Sequence, residues 1–90
     1  MVRGKHLDKA LPELRRAAML RPEAARYAYV YAVAQHETGD VKGAIRTLKQ
    51  AAARHPADRD ILNALVQYAV TSGDRDTAAE YAVKLKALQE

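Results

Sequence analysis

Apolar residues recur at helical spacing along almost the whole chain. Tyr27, Tyr31 and Ala34 form one such set, Val41, Ala44, Ile45, Leu48, Ala51 and Ala52 a second, and Ile61, Leu62, Leu65, Val66 and Ala69 a third. This rhythm lays an apolar stripe along one side of an α-helix and leaves polar and charged residues on the other. Between the stripes stand breakers: Pro22, Gly39-Asp40, Pro56 and Gly73-Asp74. Together they predict five helices, at about 7–20, 24–38, 41–54, 58–72 and 75–89. Pro12 is awkward inside the first. With Asp8 as its cap, Pro12 forfeits only the first intrahelical bond, which predicts a slight bend or a start near Leu11 rather than a break.

The breakers themselves repeat. Gly39-Asp40 returns as Gly73-Asp74, Pro22 as Pro56, Ala10 as Ala44 and Ala78, Leu14 as Leu48, and Ala17 as Ala51, each step being 34 residues. Each position has a physical role. A glycine enters the left-handed conformation at a helix C-terminus without steric cost. The aspartate after it can accept from the unpaired first-turn N–H groups of the next helix. Proline closes the second helix of each pair, and the small alanines allow two backbones to approach. The expected architecture is an all-α solenoid of antiparallel helix hairpins, a single domain over 1–90 with a leading half-repeat at 7–22 and repeats at 23–56 and 57–90.

On this reading the chain begins inside a repeat, so its ends lack cover. Leu7, Leu11, Leu14 and Met19 at one end, and Val83, Leu85 and Leu88 at the other, are expected to be partly exposed. Two arrangements would answer that exposure: a longer array of which this is a segment, or pairing of the open ends between copies.

Composition narrows the picture. The 90 residues suffice for one small core. Alanine abounds while Phe and Trp are absent, which favours helix throughout. The absence of cysteine excludes disulfides, thiolate metal sites and cysteine nucleophiles. With no membrane-length apolar run and no signal-peptide pattern, a soluble protein is expected, cytoplasmic, or periplasmic if part of a longer exported chain. The net charge of +4 is uneven: residues 1–22 carry six Lys/Arg against two acids, and residues 57–90 carry four against six. Such a bias steers acidic partners or lets copies meet head to tail.

The stretch QHETGDVKGAI places His36, Glu37 and Asp40 close together. A metal site needs three or four converging ligands, yet Asp40 follows the helix-ending Gly39 and leaves the face of His36. His6 lies near the start of its helix, and His55 at a helix end, where it favours the negative dipole terminus. No phosphate loop or nucleophile elbow is present, and Ser72 is the one serine. Asp58 and Asp60 flank a helix start, where carboxylates belong for capping reasons. No enzyme, metal or cofactor is therefore expected.

The 34-residue period, with Ala32, Ala44, Ala51, Gly39-Asp40 and Pro56 in one unit and Leu62, Leu65, Gly73-Asp74 and Ala78 in the next, resembles the tetratricopeptide repeat family in a short array of bacterial type. Ala28, Gln35 and Glu90 depart from the family pattern, which favours an aromatic, a large apolar residue and a proline at those places. ALPELRRAAMLRP with ARYAYVYAVA is also similar to repeat segments of bacterial periplasmic proteins that carry multihaem domains, although no haem-attachment motif is present.

The resemblance implies a non-catalytic adaptor or scaffold whose first helices line a concave groove that binds a protein or peptide. On the matching positions the groove presents Arg26, Tyr29, Val33, His36 and Glu37, then Asp60, Asn63, Gln67, Val70 and Thr71. The lysine, asparagine and arginine set with which some members grip a terminal carboxylate is not assembled here, since Tyr29, Val33, Asn63 and Gln67 hold those places. An apolar and polar peptide segment is the expected ligand, and self-association through the open ends the alternative. Nucleic acid is a lesser candidate. Arg3, Lys5, Lys9, Arg15, Arg16 and Arg21 make a basic first segment, but the groove positions hold one cation, Arg26.

Overall fold

The computed structural model describes the backbone of residues 2–89 and the side chains of residues 10–88. It consists of α1 (Val2–Leu20), α2 (Ala25–Glu37), α3 (Val41–Arg54), α4 (Arg59–Ser72) and α5 (Arg75–Gln89), with no strand among the described residues. Each helix packs on the next, and α2 also reaches α4. The result is an all-α solenoid of helix hairpins. Among the described residues no helix is long and apolar enough to cross a membrane.

Both glycine turns follow one design. Gly39 and Gly73 have φ of 96° and 81°. The amides of Asp40 and Asp74 reach back to the carbonyls of Gln35 and Ala69, each at 2.8 Å, while the glycine amides bond the carbonyls of His36 and Val70. These are the paired bonds that satisfy the last carbonyls of a helix. The aspartates then cap the next helix. The Asp40 carboxylate accepts from the Gly43 amide at 2.9 Å, and Asp74 accepts from the Thr77 amide at 3.2 Å and the Thr77 hydroxyl at 2.6 Å. The Thr77 hydroxyl, and then its amide, hold the Asp74 carboxyl below the usual carboxylate range. Asp58 caps α4 through the Ile61 amide at 3.1 Å.

Three helix boundaries shift by one residue, because Ala24, Thr38 and Asp58 stand as caps rather than within helices. The start of α1 needs a larger correction. The helix begins at Val2, not at residue 7 or near Leu11, and runs through Pro12. A proline withdraws a single N–H from the ladder, and here the turns before it stay helical despite that loss.

The core gathers around α4. Leu48 of α3 and Ile61, Leu62 and Leu65 of α4 are fully buried, each burial being worth about 1.5–3 kcal/mol. Ala32, Ala44 and Ala69 are equally inaccessible, small residues where helix backbones close on one another. Gln35 is also buried, and its side-chain oxygen accepts from the Thr47 hydroxyl at 2.6 Å.

The leading end is less covered than the middle. Ile61 and Ala64 are buried, whereas Tyr27 and Val30, 34 residues earlier, are 40% and 39% exposed. Likewise Ala44, Ile45 and Leu48 are buried, while Ala10, Leu11 and Leu14 are half-buried. Met19, Leu20 and Val83 are exposed; Leu85 and Leu88 are half-buried and lean on the core. The side chain of Leu7 lies outside the described residues.

Position in the stack rather than residue type should therefore set the cost of truncation. Ile61→Ala is expected to lower unfolding free energy by about 2–5 kcal/mol, and Tyr27→Ala by a small fraction of that, both read from chemical denaturation.

Candidate functional site

Residues 26, 29, 33, 36 and 37 of α2 follow one another by three, four, three and one, so they share one side of that helix. On α4, residues 60, 63, 67, 70 and 71 repeat the spacing. Arg26, Glu37, Asp60, Asn63, Gln67, Val70 and Thr71 are exposed, while Tyr29, Val33 and His36 are half-buried.

At the end of α2 the His36 ring lies flat on Tyr68 of α4, with centroids 4.1 Å apart and planes 8° from parallel. Nδ1 of His36 is 3.9 Å from a carboxylate oxygen of Glu37. Tyr29 and Glu37 are close enough to Tyr68 to act on it electrically. Burial, and then these two neighbours, push its hydroxyl above the usual tyrosine range. The structure thus brings Tyr29, His36 and Glu37 together with Tyr68. No contact joins Arg26, Val33, Asn63, Gln67 or Val70 to this cluster; Gln67 accepts the Thr71 hydroxyl through its carbonyl at 3.0 Å.

Tyr68 was not among the expected groove residues. Its one sequence signal is that it is the sole aromatic of its helix, directly after Gln67. The 34-residue step leads from it to Ala34, which points away from an aromatic role.

The groups on this face suit recognition. Rings offer flat apolar area, and the amides of Asn63 and Gln67 can each donate and accept. The remaining polar cluster is architectural: Asp40 caps α3, and His55 Nε2 lies 3.1 Å from the Pro22 carbonyl, joining two interhelix turns. Among the described residues no three His, Asp or Glu side chains converge as a metal site would require.

With this geometry in hand, comparison with known proteins is decisive for the family. The sequence profile of the tetratricopeptide repeat matches residues 3–68. The chain belongs to the tetratricopeptide repeat family. A solved structure described as "MamA RS-1 ArsTM double mutant" is similar to it with a TM-score of 0.85 and 25% sequence identity, over 98% of this chain and 49% of that one. The chain thus spans about half the length of that protein. No curated protein matches it. Tetratricopeptide repeats generally mediate protein–protein interaction and are typically not enzymes.

The stack joins two helices of this tetratricopeptide domain, so it should register in stability. A double-mutant cycle with His36→Ala and Tyr68→Ala, followed by denaturant unfolding, is expected to give a coupling of about 0.5–1.5 kcal/mol.

Proposed function

We propose that the chain is a non-catalytic interaction module that binds an extended protein or peptide segment along the face shared by α2 and α4. The repeats at 23–56 and 57–90 would each contribute one helix to that face, behind the half-repeat at 7–22. The observation that carries this reading is the His36–Tyr68 stack. It ties the ends of two helices together, and on either side of it lie Tyr29 and Val33, Asn63 and Gln67, and the 65% exposed Val70. An extended chain laid there would meet rings and aliphatic groups for its side chains and amides for its backbone. A small surface of this kind needs few strong contacts, and tyrosine is the best placed to supply them.

Peptides selected for binding from a displayed random library provide the test. Tyr29→Ala combined with Gln67→Ala should weaken the selected peptides tenfold or more while leaving helicity intact. Unchanged affinity in that variant would remove the reading.

The open leading end favours a second reading, association with another copy. Tyr27 and Val30 are exposed at positions whose equivalents, Ile61 and Ala64, are covered by a neighbouring helix. Light scattering over a range of concentrations should then show mass rising with concentration, and Val30→Glu should hold the chain monomeric. A constant monomer mass would discard this alternative.

A further inference from the structure

A cleft of about 590 Å³ opens on the other side of α2, between α1 and α3. On α2 it is lined by Ala28, Tyr31 and Gln35, and at about 100° per residue these lie opposite Tyr29, Val33 and His36. Among the described residues α1 and α3 do not touch across it. The floor is shallow-sided and apolar, made by Ala18 and Met19 of α1, Ala28 of α2 and Ala51 of α3. Ala28 and Gln35 are two of the places where the sequence departs from the family pattern. The small side chain at 28 leaves the floor open, and Gln35 brings a polar group to it.

The walls are cationic. Lys42, Arg46, Gln50 and Arg54 stand four residues apart, which puts them in one row along α3, and Arg15 faces them from α1. All four cations are exposed, and none of them makes an ion pair within the chain among the described residues. The single acid in the lining, Asp40, already accepts from the Gly43 amide at the start of α3. The cleft therefore has an excess of positive charge with nothing in the chain to answer it. Lys42 and Arg46 also border a smaller recess beside Asp74, but that carboxylate is engaged by Thr77.

We propose that this cleft is a second binding site, separate from the α2–α4 face, and that it takes an acidic peptide segment with one or two apolar anchor side chains. Charge complementarity selects the acidic partner. The apolar floor selects the anchors, and its volume falls within the range of about 300–1,000 Å³ typical of binding pockets. From Lys42 to Arg54 the row is about 18 Å long, with Lys42 and Arg46 about 6 Å apart. That spacing suits carboxylates placed one helical turn apart or on alternate residues of an extended chain. Nucleic acid fits less well. A duplex strand carries a phosphate about every 3.4 Å, far denser than this row, and Tyr31 is the one aromatic ring in the lining.

The test uses the full chain and a labelled peptide of roughly twelve residues, rich in Glu with two Leu. Its counterparts are the same peptide with Lys for Glu, and a single-stranded oligonucleotide. The acidic peptide is expected to bind, to weaken as salt rises, and to lose tenfold or more in affinity with Arg46→Glu plus Arg54→Glu. Gln50→Lys should tighten it, and Tyr29→Ala with Gln67→Ala should leave it unchanged, which separates this site from the other. Because residues 46, 50 and 54 are exposed, these variants should keep the wild-type circular dichroism spectrum. Equal binding of the Lys peptide, indifference to the Arg46 and Arg54 reversals, or tighter Arg-dependent binding of the oligonucleotide would each overturn the assignment.

Discussion

No helix of this chain can bury its apolar side alone; each depends on the next one for cover. The dependence is most complete at α4, where Ile61, Leu62 and Leu65 lose all exposure among their neighbours α2, α3 and α5. The same positions 34 residues earlier are Tyr27, Ala28 and Tyr31, and none of them is buried. Burial in such a stack belongs to the arrangement of neighbours as much as to the residue. The leading end therefore keeps apolar surface that the middle of the stack does not.

The arrangement rests in turn on two four-atom details at Gly39 and Gly73. A left-handed glycine closes one helix, and the following aspartate opens the next, so the chain reverses within three residues. The consequence for the site is direct. Because α2 must end at Glu37, His36 stands in its last turn beside the matching stretch of α4, where its ring meets Tyr68. The acid that looked like a third member of a cluster with His36 and Glu37 is the cap that makes the turn possible.

What could be read from the sequence follows the locality of each interaction. The period, the five helices, the glycine turns and the caps were legible because positive φ and orphaned first-turn amides depend on a few adjacent residues. The start of α1 was not, since the loss of one bond at Pro12 has to be weighed against the rest of a helix. The His36–Tyr68 pair was hidden for a different reason. It joins residues 32 positions apart in helices that meet only in the fold, and the repeat maps Tyr68 onto Ala34. The places of Ala28 and Gln35 were visible as departures from a pattern, but their effect was not. Gln35 is held by Thr47, and Ala28 floors an open cleft.

The charge distribution also changes meaning once the chain is folded. Along the sequence it is a gradient, basic at the front and acidic at the back. In the fold, Arg15 from the front and Lys42, Arg46 and Arg54 from the middle meet across one cleft, so the gradient becomes a difference between two sides of α2. One side carries rings and amides with few charges; the other is bounded by cations. These cations come from α1 and α3, whereas the ring cluster comes from α2 and α4. The two surfaces thus draw on alternate helices of the stack, and a substitution on either set leaves the other in place. A solenoid this short can offer two chemically distinct surfaces because each helix is covered by neighbours on two of its sides and leaves the others to solvent.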